Sequence, residues 1–110
     1  MFVLFDQATP VPIRAYLEGH TVRTAAQQSW ERLKNGDLLT AAEEAGFDIL
    51  LTTDKNMRYQ QNLSGRKIAI LVLGRQQWPQ LQPHIQRVVE AVNAATPGSY
   101  GEVDIPFNFR

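Results

Sequence analysis

Three runs of this chain are apolar on both sides of an extended backbone: Phe2–Phe5, Ile49–Leu51 and Ile68–Leu73. Continuous runs of this length suit strands buried on both faces, as in a parallel sheet covered by helices. Between them the period lengthens. Leu38, Ala42 and Ala45 form one stripe at helical spacing, with Asn35 as a suitable cap and Gly46 closing the helix. Leu81, Ile85, Val88, Val89 and Val92 mark a long amphipathic helix entered through Pro79 and Pro83. Thr9-Pro10 reads as a cap followed by proline at the first helical position, for a helix running to about Leu17. His20–Ala25 is a weaker strand, and Gln27–Lys34 is helix-compatible with Trp30 and Leu33 as inward anchors. The polar stretch Lys55–Leu63 fits one or two helical turns. Strands alternating with helices predict an α/β domain of three layers, with a mainly parallel sheet of four or more strands and right-handed crossovers. Phe2–Phe5 and Ile49–Leu51 are expected at its centre.

The last stretch reads differently. Val103, Ile105, Phe107 and Phe109 alternate with polar residues and Pro106, the pattern of an extended arm with one apolar face. The expected organisation is a single domain over residues 1–100 and an arm over 101–110. The arm would lie along a sheet edge, on the chain's own long helix, or across a second copy, which makes it a route to a homodimer.

Composition narrows the chemistry. With no cysteine among 110 residues, disulfides, thiolate zinc sites and cysteine nucleophiles are excluded. His20 and His84 have no partner at metal-ligand spacing. A formal net charge of zero argues against a broad footprint for duplex DNA, although Arg58, Arg66, Lys67 and Arg75 bias the central segment positively. No run is long and apolar enough for a membrane span and no signal-like start is present, so the expected location is the cytoplasm.

Three carboxylates fall where such a fold would gather them. Asp6 ends the first apolar run, Asp37 opens the Leu38–Ala45 helix, and Asp54 follows the second run. Ligand crevices in parallel sheets lie outside the carboxyl ends of the strands, and the helices start on that side. Each acid also has a local reading: a turn for Asp6, the helix dipole for Asp37, a cap for Asp54. Those readings predict no common place, whereas the topology does. Oxygen ligands so arranged suit Mg²⁺ or Mn²⁺.

The stretch from Asp37 through Ala41-Ala42-Glu43-Glu44-Ala45-Gly46 to Thr52-Thr53-Asp54 resembles the acidic motif of PIN domains: an acid opening an alanine-rich helix, a small turn, an apolar strand, then Thr-x-Asp. Phe2–Asp6 is similar to the first PIN strand with its catalytic Asp. Residues 1–73 as a whole resemble compact bacterial PIN-like proteins, several of which neighbour antitoxin-like genes. The resemblance implies a metal-dependent ribonuclease of toxin type cleaving single-stranded RNA, with Asp6, Asp37 and Asp54 as metal-binding and catalytic acids and an antitoxin protein as partner. Lys55, Asn56, Arg58 and Tyr59 would then meet the substrate by charge, hydrogen bonding and stacking. PIN ribonucleases usually add a fourth acid, for which Glu31 is the candidate here, and Asn56 stands where many relatives carry another. This thinner acid set also fits a non-catalytic module binding protein or RNA. A receiver-like phosphoacceptor reading needs an acidic pair after the first strand and a Lys after the last. Gln7-Ala8 and Gly74-Arg75 do not supply them.

Overall fold

A computed structural model describes residues 1–59, 63 and 65–106, with the side chains of all but residues 35, 58 and 59. Five strands form one sheet: β1 (Phe2–Phe5), β2 (Thr21–Thr24), β3 (Ile49–Thr52), β4 (Ala69–Leu73) and β5 (Tyr100–Val103). Their spatial order is β2-β1-β3-β4-β5 and every pairing is parallel. Helices α1 (Asn35–Glu44), α2 (Trp78–Leu81) and α3 (Ile85–Ala94) cover it, with 3₁₀ segments at Val11–Tyr16, Lys55–Tyr59 and Gln82–His84. The architecture is α/β in three layers, with β1 and β3 inside the sheet as the doubly apolar runs required. No helix among the described residues is long and apolar enough to cross a membrane.

Alternation along the strands divides the core. Val3, Phe5, Ile49, Leu51, Leu71 and Leu73 face one cluster, closed by Ile13, Leu17, Leu81, Val88 and Val92. Leu4, Leu50, Ile70 and Val72 face the other, closed by Leu38, Leu39, Ala42, Phe47 and Met57. Phe47 stacks on Phe2 with ring centroids 3.8 Å apart, and Trp30 meets its edge.

Several elements depart from their expected form, each for a visible reason. Thr9 does not cap a helix: its hydroxyl donates to the Leu51 carbonyl at 2.9 Å, and Pro10 takes the cap position of a 3₁₀ helix instead. Gln27–Lys34 forms turns rather than a helix. Thr24 and Gln27 bond each other's backbone N–H groups reciprocally, starting a turn, but Ser29 at φ 61° ends it. Leu33 is therefore 36% exposed and not an anchor. Helix α1 begins at Asn35 behind Lys34, which makes no side-chain cap, and Leu39 rather than Ala45 completes its buried stripe. The long final helix is divided into α2, a 3₁₀ turn and α3, because Pro83 lacks the N–H that continuous α-helix needs.

The segment expected as an arm supplies the fifth strand. Tyr100–Val103 pairs with Ile70–Leu73, and Val103 and Ile105 are buried beneath α3. Phe107 and Phe109 lie outside the described residues, as do Gln60, Gln61 and Asn62.

One polar clamp ties α1 to the entry of β4. Glu43 accepts from the backbone N–H of Lys67 at 2.7 Å and of Ile68 at 3.2 Å, and from Arg66 Nη1 at 2.8 Å. Burial by itself raises the Glu43 pKa, but these donors together outweigh it and hold the carboxyl below its usual value. A depressed folded pKa adds stability above the unfolded value and loses it as pH falls through the folded one. Glu43→Gln is therefore expected to destabilise by about 1–3 kcal/mol at neutral pH. Melting temperatures from neutral to acidic pH should show the gap to wild type closing as wild-type Glu43 protonates. A gap independent of pH would mean the clamp does not act through charge.

Candidate active site

The strand order places a topological switch between β1 and β3: the chain leaves β1 for β2 on one side, then crosses back to β3 on the other. In open parallel sheets the ligand crevice lies outside the carboxyl ends at that switch. Asp6 and Asp54 arrive there from the two neighbouring strands. The last β1–β3 pair is Phe5 with Leu51, so the next step sets Asp6 beside Thr52 on the α1 side of the sheet. Thr52, fully buried, donates its hydroxyl to Asp6 Oδ2 at 2.8 Å and accepts the Asp54 N–H at 3.1 Å. One hydroxyl thus joins both acidic segments. Asp6 Oδ1 accepts the Gln7 N–H at 2.7 Å, and Asp54 Oδ1 accepts the Asn56 N–H at 2.9 Å. Asp54 therefore does cap its 3₁₀ turn. That bond leaves Oδ2 without a protein donor among the described residues.

Both acids line a cavity of about 630 Å³ with Lys55, Gly74, Arg75 and the glutamines 76, 77 and 80. A second cavity of about 510 Å³ shares Lys55, Gly74 and Arg75 and continues toward Glu102 and Asp104. A third, of about 470 Å³, shares Asp6 and continues toward Thr24. Together they run along the carboxyl edge from β2 to β5.

The other expected residues divide. Lys55 borders the cavity, whereas Asn56 contributes its backbone N–H to Asp54 and is not in the lining. The side chains of Arg58 and Tyr59 lie outside the described residues. Asp37 is exposed in the first turn of α1 and does not line the cavity. Arg66, rooted before β4 at the opposite edge, reaches the Gly36 carbonyl at 3.4 Å. The start of α1 is thus within one side chain's reach of the amino edge. Glu31 is exposed and also outside the lining. Among the described residues no three His, Asp or Glu side chains come close enough to hold a metal ion.

An all-protein cage of three acids is not assembled. Mg²⁺ is usually held otherwise, by one or two carboxylates with its remaining positions left to water and substrate phosphate. Asp6 and Asp54 supply the number of carboxylates that second mode uses.

Arg75 and the three glutamines escaped the motif reading because no motif marks them. Their signal is positional: they follow Leu73 at the carboxyl end of a fully buried strand. Comparison with protein-family models, with curated proteins and with solved structures gives no match.

Proposed function

We propose that the carboxyl-edge cavity is the active site of a divalent-cation-dependent ribonuclease of toxin type, cleaving single-stranded RNA. The observation that carries this reading is the meeting of Asp6 and Asp54 at the switch point, joined through Thr52, in one cavity with Lys55 and Arg75. Asp6 and Asp54 would hold Mg²⁺ or Mn²⁺, and a bound cation supplies polarisation of the phosphate and a more acidic water. Thr52 orients Asp6 by its hydrogen bond and is a positioning residue. Lys55 and Arg75 offset phosphate charge at the rim. The adjoining cavities follow one another along the carboxyl edge, where an extended single strand would lie. A nuclease of this type would be held in check by an antitoxin protein.

The second reading is a catalytically silent module of the same fold that binds RNA or protein, favoured by the exclusion of Asp37 from the cavity. The phosphoacceptor alternative loses ground further, since an acid, Asp104, rather than a lysine follows the last strand.

Incubating the protein with an unstructured, end-labelled RNA and titrating Mn²⁺ separates the two. The nuclease reading expects cation-dependent cleavage and a melting temperature that rises with Mn²⁺, because the cation binds only the folded acids. Binding of the RNA without cleavage at any Mn²⁺ concentration would leave the silent module.

A further inference from the structure

The loop from β4 to α2 places three carboxamides on the wall of the cavity that holds the two acids: Gln76, Gln77 and Gln80. All three are exposed, and none of their amides has a hydrogen-bond partner among the described residues. Gln27 and Gln28 differ, since their side-chain oxygens are engaged by Thr24 N–H at 2.9 Å and Arg23 Nε at 2.9 Å. The cavity glutamines thus stand uncommitted on a backbone that is fixed at both ends. Gly74 donates its N–H to the Val103 carbonyl at 2.9 Å, and a Cβ there would come within 3.1 Å of Ile105 N. No larger residue fits without moving the strand beside it. At the other end Trp78 packs on the core and against Tyr16, with ring centroids 5.8 Å apart. The Gln77 carbonyl accepts the N–H groups of Gln80 and Leu81, both at 3.0 Å, which sets the first turn of α2.

A carboxamide presents a donor and an acceptor side by side. That pair matches adenine, whose N7 accepts while its N6 amino group donates, and glutamine or asparagine reads adenine in this bidentate way. In single strands the base edges are open to such reading. Phosphate contacts at Lys55 and Arg75 would position a strand without regard to sequence.

We infer that Gln77 and Gln80 form a base-reading wall that selects an adenine beside the two acids. This rests on the RNA reading of the cavity and adds its sequence preference. The test is fluorescence anisotropy without divalent cation, so that no strand is cut. The probes are labelled oligocytidine RNAs of about eight nucleotides, a usual site size. One has a single central adenosine, one a central 7-deazaadenosine that lacks the N7 acceptor, and one is cytidine throughout. The adenosine strand should bind about tenfold more tightly than the other two, the discrimination of one bidentate pair. The double variant Gln77→Leu, Gln80→Leu should erase that preference while keeping the all-cytidine affinity and the melting temperature. Equal affinity for the three strands, or a preference that survives the double variant, overturns the base-reading wall and leaves the RNA reading standing. Failure to bind any of the strands, both without cation and with added Ca²⁺, overturns both.

Discussion

Asp6→Asn and Asp54→Asn are each expected to lower cation-dependent RNA cleavage by at least about a thousandfold, equivalent to about 4 kcal/mol of barrier. Asparagine keeps the shape of the side chain and one acceptor oxygen. The Thr52 hydroxyl can still bond an amide at position 6, and the Asn56 N–H can still bond position 54. What is lost is one of two negative charges at a site to which no third acid among the described residues is added. The rise in melting temperature with Mn²⁺ should vanish with the activity. Without cation, the melting temperature of both variants should stay within about 4 °C of wild type, as for other partly exposed substitutions. Asp37→Asn should retain cleavage within severalfold, because Asp37 does not line the cavity. If Asp37→Asn proved as damaging as Asp6→Asn, the two-carboxylate site would be overturned in favour of a three-acid one. Wild-type cleavage by either Asp6→Asn or Asp54→Asn would remove the cavity from consideration altogether.

The largest stability effect should come from Leu50→Ala. Leu50 is fully buried on the central strand, between Leu4 of β1 and Ile70 of β4, and packs in one cluster with Leu38, Leu39 and Ala42 of α1. Its neighbours belong to three separate elements, two of them fixed in hydrogen-bonded ladders, so they cannot collapse fully into the space left behind. Truncation of such a leucine costs about 3–5 kcal/mol, a large share of the 5–15 kcal/mol that holds a typical domain together. The expected fall in melting temperature is about 12–25 °C, followed by circular dichroism. Leu33→Ala provides the contrast. The residue type is the same, but the side chain is 36% exposed on a turn, and a change beyond about 0.5 kcal/mol is not expected. A loss at Leu50 as small as that at Leu33 would contradict the position of β3 inside the sheet.

Much of the fold was written in local pattern. Phe2–Phe5, Ile49–Leu51 and Ile68–Leu73 have no polar face to give to water, so they had to be interior strands of a sheet covered on both sides, and they are. The stripe through Leu38 and Ala42 and that through Leu81, Val88 and Val92 likewise identified covering helices, since a single apolar face has to meet a sheet. Asp6 and Asp54 were legible for the same reason: an acid at the end of a buried parallel strand can only emerge at the carboxyl edge.

Other features depended on energies that no local window contains. Thr9 caps nothing because the Leu51 carbonyl, distant in sequence, competes successfully for its hydroxyl. The alternation from Val103 onward allowed a sheet edge, the chain's own helix or a second copy, and pairing with β4 decided for the sheet edge, where Val103 and Ile105 join the cluster that contains Val88 and Val92 of α3. Asp37 opens a helix at the expected place in sequence, and Glu43 and Arg66 tie that helix to the entry of β4. Asp37 itself is exposed and does not line the cavity. The glutamines beyond β4 carry no signature of their own. Only the strand order, which sets β4 next to β3, brings Gln77 and Gln80 to the same cavity as Asp6 and Asp54. Residue type and period determined what each segment must bury, and long-range pairing decided which polar groups would face one another.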